Sequence, residues 1–212
     1  GAEKIKASIG AIYYLHKHTV CLYPDCRDDP TIDDHISPIA GQLTYYLNRD
    51  ISMVGDAAWD PNKDQINNSS LSLTYNPDAR RVISLRYNYI KNGDVLNPTD
   101  VDSTQNNLHR IDLAISWPIT THWNAVADWN YNISHAHTQN YFYGAEYETC
   151  CWAVRLMSSS FLESQDMAGN TSFRSAYYLQ FMLKGLGSAG DSQGSALLVN
   201  SLPGYRDKFA SS

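Results

Sequence analysis

No stretch of this 212-residue chain comes near the uninterrupted apolar run that a membrane helix needs, roughly 18 residues. Charge is scarce as well. Asp, Glu, Lys and Arg make up 18% of the chain, against about 25% in an ordinary soluble domain. The balance is acidic, a formal net charge of -6, which argues against a nucleic-acid partner. The N-terminus, Gly1-Ala2-Glu3-Lys4, has none of the features of a signal peptide, so an exported chain beginning here is expected to be mature, trimmed or a fragment. There is no Gly-x-Ser-x-Gly elbow and no phosphate loop, and no cofactor is expected. Cysteine is confined to Cys21, Cys26, Cys150 and Cys151, an even number that suits an oxidising compartment such as the periplasm.

Aromatic residues are abundant, at 12% of the chain with 15 tyrosines. Rings with one polar end favour a surface that is half apolar and half wet, as a membrane interface is. Period-two alternation runs down nearly the whole chain. Ile83, Leu85, Tyr87 and Tyr89 share one face against Ser84, Arg86 and Asn88. Leu71, Leu73 and Tyr75 oppose Ser70, Ser72 and Thr74; Ile111, Leu113, Ile115 and Trp117 oppose Asp112, Ala114 and Ser116. Trp123, Ala125, Ala127, Trp129 and Tyr131 oppose Asn124, Val126, Asp128 and Asn130. Tyr141, Tyr143, Ala145 and Tyr147 oppose Asn140, Gly144, Glu146 and Glu148.

About ten such segments can be drawn, near the ~10-residue length of a membrane-barrel strand: 3–15, 37–48, 51–60, 66–76, 81–91, 106–117, 122–133, 139–149, 152–162 and 172–185. Their connections alternate in length. Short ones fall at Asn48-Arg49-Asp50, Asn76-Pro77-Asp78-Ala79, Ile119-Thr120-Thr121 and Cys150-Cys151; longer ones at 16–36, 61–65, 92–105, 134–138 and 163–171. Short turns at one end and longer loops at the other is the layout of an outer-membrane barrel, with the short turns periplasmic. The fold class expected is therefore all-β, an antiparallel transmembrane β-barrel wall, with Leu71, Leu73, Ile83, Leu85, Leu113, Ile115, Trp129 and Tyr143 facing lipid. A mean hydropathy of -0.40 suits a soluble protein, but half of each barrel strand faces a polar lumen. The alternative is a soluble β-sandwich or lipocalin-like binding barrel. The wall is expected over 1–185 and a periplasmic tail over 186–212. That tail is rich in Gly and Ser and reads as a loop, with a turn at Pro203-Gly204.

Adjacent cysteines strain to bond each other, because their Cα atoms sit only about 3.8 Å apart. Cys150 and Cys151 are thus expected to bond distant partners, with two free thiols as the alternative. Cys21 and Cys26 lie in the first long loop with His16 and His18. A local disulfide is preferred there over a zinc site. The two cysteine pairs should not join, since they sit at opposite ends of strands crossing a ~30 Å hydrocarbon core. Within this chain Cys150 and Cys151 are left to stay reduced, bond another molecule or bond each other. The sequence also admits an enzymatic reading. Ten strands is the size of the omptin-type outer-membrane proteases, and Asp28, Asp29, Asp33, Asp34 and His35 could activate water. No second loop carries a matching cluster, and His135 and His137 read as loop residues, so a solvated acidic loop is preferred.

The run Asn140-Tyr141-Phe142-Tyr143-Gly144-Ala145-Glu146-Tyr147-Glu148-Thr149-Cys150-Cys151-Trp152-Ala153-Val154-Arg155 resembles the strand–Cys-Cys–strand segment of the lipopolysaccharide-assembly barrel family, LptD or organic solvent tolerance proteins. So does the ending Tyr178-Leu179-Gln180-Phe181-Met182-Leu183-Lys184-Gly185-Leu186-Gly187-Ser188, followed by Leu202-Pro203-Gly204-Tyr205. Ile9-Gly10-Ala11-Ile12-Tyr13-Tyr14 and Ser37-Pro38-Ile39-Ala40-Gly41 resemble earlier strands of that family. The resemblance implies the C-terminal arc of a much larger barrel in the outer membrane of a Gram-negative bacterium. It implies no enzyme, but a wall that passes lipopolysaccharide to the outer leaflet through a lateral gate, among outer-membrane lipids. An LptE-type lipoprotein would sit in the lumen, and periplasmic lipopolysaccharide-bridge proteins would deliver the cargo. It further implies that Tyr177, Tyr178, Leu179, Gln180, Phe181, Met182 and Leu183 lie on the gate strand, and that the Cys-Cys pair bonds cysteines of an N-terminal periplasmic β-jellyroll. This sequence contains no such region.

Overall fold

A computed structural model describes residues 4–15, 36–91, 107–165, 171–190, 192–207 and 209. Its strands are β1 (Ile5–Gly10), β2 (Ile39–Tyr46), β3 (Ile51–Asp60), β4 (Gln65–Asp78), β5 (Arg81–Ile90) and β6 (Leu108–Pro118), then β7 (Trp123–Asn132), β8 (His137–Glu148), β9 (Trp152–Gln165), β10 (Thr171–Leu183) and β11 (Gly187–Gly190). One helix follows, α1 (Ser192–Ser201). The strands form a single antiparallel meander in chain order. β1 and β11 are its two edges, so the sheet is an open arc and not a closed ring. Among the described residues no helix is long and apolar enough to cross a membrane.

Strands β1 to β10 fall on the ten spans expected from alternation. The first is shorter than expected and continues only as an isolated bridge between Tyr13 and Ile36. β4 runs further, through Pro77 to Asp78, because a bulge between Tyr75 and Asp78 accommodates the missing proline N–H. The largest departure is the tail. Instead of a loop it forms β11 and α1. Gly185 and Gly187 turn the chain at positive φ, 89° and 128°, and β11 then pairs back onto the last four residues of β10.

Four short turns at one end share one device. A side-chain oxygen at the start of each turn accepts backbone N–H bonds from residues two and three ahead, as Asx and Ser/Thr turns do. Asn48 Oδ1 accepts from Asp50 and Ile51, and Asp78 Oδ1 from Arg80 and Arg81. Thr120 Oγ1 accepts from His122 and Trp123, and Thr149 Oγ1 from Cys151 and Trp152.

The two faces of the arc differ as the alternation requires. Leu71, Leu73, Leu85, Leu113, Trp129 and Tyr143 lie exposed on the outer face. Ile83 and Ile115, on the same face, are half-buried because they pair directly across β5 and β6. The inner face carries Val82, Ser84, Ala114, Ser116, Val126, Asp128, Phe142, Arg155 and Met157, all buried. Leu198 and Leu202 of the tail close a core against Val82, Ala114, Val126, Phe142 and Met157. A single i,i+4 pair thus spans β5 to β9. α1 is ten residues long, too short to be stable alone in water, and relies on this packing.

Candidate functional site: the last strands and the inner face

Arg155 is the centre of the inner face. It is 1% exposed, and its register partner on β8 is Glu146. Its Nε donates to Glu146 Oε1 at 2.8 Å. Its Nη1 donates to Gln180 Oε1 on β10 at 2.8 Å, and at 3.3 Å to both Ser195 Oγ on α1 and Asp207 Oδ2. Its Nη2 donates to Asp207 Oδ1 at 2.6 Å and to the Tyr205 hydroxyl at 3.0 Å. That hydroxyl in turn donates to Glu146 Oε1 at 2.6 Å. The Phe209 ring lies under the guanidinium, its centroid 4.1 Å away. Every guanidinium nitrogen is engaged. This is the condition under which a buried cation is tolerated, since each desolvated ion otherwise costs several kcal/mol.

Tyr205 and Asp207 respond in opposite ways. Burial works to raise both. Around Tyr205 the negative Glu146 reinforces that effect, so its hydroxyl stays protonated far above the usual phenol range. Around Asp207 burial is outweighed by the hydrogen bonds from Arg155 and Ser195 and by the Arg155 charge, which hold the carboxyl below its ordinary value.

β10 carries the residues expected on the gate strand. Tyr177, Leu179, Phe181 and Leu183 point outward and are exposed. Tyr178 packs against the inner core. Gln180 and Met182 are buried, Met182 beside Ala153 and Phe209. β10 pairs with β9 along its length.

Cys150 and Cys151 occupy the β8–β9 turn. Within this chain their sulfurs are bonded to each other, with Cα atoms 3.8 Å apart, one of the three outcomes expected for the pair. Cys21, Cys26 and the acidic cluster Asp28, Asp29, Asp33, Asp34 and His35 lie outside the described residues. His135 and His137 lie next to each other, rings 6.0 Å apart. Among the described residues no group of three or more His, Cys, Asp or Glu is placed to hold a metal.

Aromatic side chains form two bands on the outer face. At the turn end Trp123, Tyr147, Trp152 and Phe181 run in sequence with centroids 4.9, 5.3 and 6.2 Å apart, and Arg81 sits over Trp117. At the loop end are Trp129 beside Tyr131, and Tyr141 beside Tyr143 and Phe173. Leucines, isoleucines and alanines fill the interval. From Trp123 to Trp129 along β7 is about 20 Å at ~3.4 Å per residue, in keeping with the ~25 Å apolar band between the aromatic girdles of membrane barrels.

The sequence reading missed the Arg155 cluster. Its local half was within reach, since Glu146 and Arg155 are equidistant from the Cys-Cys turn. Its distant half, Ser195, Tyr205 and Asp207, carries no local signal.

Comparison with known proteins agrees with this wall. The family model described as LptD, LPS transport system D, matches residues 1–123. The chain is 35% identical to the LPS-assembly protein LptD of Legionella pneumophila strain Philadelphia 1, over 99% of this chain and 26% of that protein. It is 34% identical to the Coxiella burnetii protein of the same name, over 94% of this chain and 24% of that protein. With the Pseudomonas putida F1 protein, identity is 28% over 98% of this chain and 25% of that one. The chain therefore spans about a quarter of the length of these relatives. The chain belongs to the LptD family of LPS transport proteins.

Proposed function

We propose that this chain is the C-terminal wall of an outer-membrane barrel that inserts lipopolysaccharide into the outer leaflet, with β10 as one side of a lateral gate. The observation that carries this reading is the edge of β10. Along Phe173–Leu179 it has no strand neighbour beyond β9 among the described residues, in a wall whose outer face is apolar and banded by aromatics. An open edge in lipid leaves backbone groups unsatisfied, so it calls for a partner strand from the rest of the barrel. A gate needs that pairing to be separable.

The inner face of β2 to β5 supports a luminal occupant of the LptE lipoprotein type. It is polar, lined by Gln42, Asp56, Ser70, Ser72, Arg86 and Asn88, and borders a cavity of about 590 Å³. Residues 1–185 would be the membrane wall, and 186–212 a tail at its periplasmic end. In the whole protein Cys150 and Cys151 would bond periplasmic cysteines of the region that receives lipopolysaccharide from the bridge proteins. The decisive experiment uses the full-length protein. A disulfide between a cysteine at Tyr177 and the facing strand should stop delivery of lipopolysaccharide to the cell surface, and reduction should restore it. Replacing Asp33, Asp34 and His35 together should leave delivery intact; peptidase activity lost on that replacement would instead support an enzyme.

A further inference from the structure

The two ends of β10 are held very differently. At the loop end its residues are exposed from Thr171 to Ser175. At the turn end Gln180 and Met182 are buried. Gln180 accepts from Arg155 and donates to Ser195 Oγ at 2.9 Å, while Met182 packs against Phe209. Gly194 of α1 lies against Tyr178, where an added Cβ would come within 3.3 Å of the tyrosine Cβ. The same helix, through Leu198, and Leu202 just past its end reach back across β5 to β9. The inner end of β10 is therefore tied to five neighbouring strands through the tail, while its outer end, among the described residues, meets β9 and, through the ring of Phe173, Tyr141 of β8.

The outer edge is divided at the same place. β11 pairs Gly187 with Leu183, Ser188 with Met182, Ala189 with Phe181 and Gly190 with Gln180. A strand edge can pair with only one neighbour at a time, so these four positions are taken. Gly190 makes the contact possible. Its φ is 127°, and a Cβ there would sit 2.5 Å from the Leu179 carbonyl oxygen and 2.8 Å from Gln180 Cα. Both atoms belong to the backbone of β10 and cannot swing aside.

We propose that β11 and α1 form a fixed gatepost. They pin the turn end of β10 to the wall and keep the partner strand off Gln180–Leu183, so that the seam zips and unzips only beyond them, along Phe173–Tyr177, short of Tyr178 and Leu179, which the tail also contacts. This rests on the gate reading above. It follows from where local unfolding is least opposed, which is where buried contacts are fewest.

The test uses full-length protein in cells. A disulfide between Asp128→Cys and Ser201→Cys fastens α1 to β7 and should leave lipopolysaccharide export unchanged; export that stops shows that the helix must move and overturns the proposal. A cysteine at Phe181 should fail to cross-link to the facing strand while one at Tyr177 succeeds; cross-linking at Phe181 in the native background also overturns it. Gly190→Val should expel β11, make the Phe181 cross-link appear and slow export about tenfold, because two or more added backbone hydrogen bonds then stabilise the closed seam. Unchanged export with no Phe181 cross-link in Gly190→Val shows that β11 does not guard the edge. Export that survives a Tyr177 cross-link sinks the gate reading, and the gatepost with it. A Phe181 cross-link in the native background sinks the gatepost alone.

Discussion

Arg155 and Asp207 are 52 residues apart in the chain and 2.6 Å apart in space. The ion pair they form is almost fully buried on both sides. Without Asp207, Arg155 stays buried with Glu146 as its remaining carboxylate partner, so the loss falls below the roughly 3–5 kcal/mol of a buried charge left wholly unpaired but still removes the tail's charged anchor. Asp207→Ala should therefore release the tail while β1 to β10 stay folded. Limited proteolysis in detergent should cut residues 192–207 in the variant and spare them in the parent. Arg155→Lys should give an intermediate result, since an ammonium keeps the charge but cannot reach Glu146, Gln180 and Asp207 together.

Acid should loosen the same contact, in a defined window. The Asp207 carboxyl is held below its ordinary value of 3.8. A lowered carboxyl stabilises the docked tail fully above the value it has when undocked, and this is lost as pH falls through the lowered, folded value. Tail proteolysis should thus be flat from pH 7 to about pH 5 and rise below about pH 4. Release that already occurs near pH 6 in the parent chain would assign the effect to another group.

Gly144 offers a test of the β8–β9 packing. An added Cβ would lie 2.5 Å from Met157 Cγ and 2.7 Å from the Leu156 carbonyl oxygen. The first atom can shift; the second is backbone in the β-ladder. Gly144→Ala should destabilise the wall by about 1–3 kcal/mol, the usual cost of overpacking. A lowered temperature for loss of the compact band on heat-modifiability gels would register it. Gly10→Ala, with nothing near the added atom, is the matched control.

The two faces should respond unequally to charge. Leu113→Arg places a cation on the outer face, where the midplane of a bilayer would cost about 2–4 kcal/mol. Ser72→Arg, on the inner face beside the open cavity, should cost far less. Equal effects on denaturant midpoint in lipid vesicles would mean that both faces are wet.

Non-reducing peptide mapping of the isolated chain should recover Cys150 and Cys151 in one peptide and no cross-link from either to Cys21 or Cys26. A bond between the two pairs would put the first long loop and the β8–β9 turn at the same end of the strands, against the meander.

Most of the wall could be read from the sequence because each strand has two different solvents. Leu71, Leu73 and Leu85 had to be apolar and Ser70, Ser72 and Arg86 did not, and that difference prints as alternation. The tail has no such imprint. α1 places Leu198 in the core with Leu197 packed against it, and Leu202 follows just past its end, while Gly194 and Ser195 have the composition of a loop. Its fold is dictated by surfaces supplied by β5 to β10, far away in sequence. The gate residues were named by resemblance. The split of β10 into a held end and an open end comes from β11, whose Gly-Ser-Ala-Gly sequence carries no strand propensity.

The side-chain caps at Asn48, Asp78, Thr120 and Thr149 bear on how such a wall is made. Each closes a hairpin, β2–β3, β4–β5, β6–β7 and β8–β9, using only residues within or beside the turn. Contacts this local form early, since little chain entropy is lost in closing them and isolated hairpins assemble in about 1–10 μs. The four hairpins are thus the pairings of lowest closure cost in the wall, and the longer connections between them are the costlier ones.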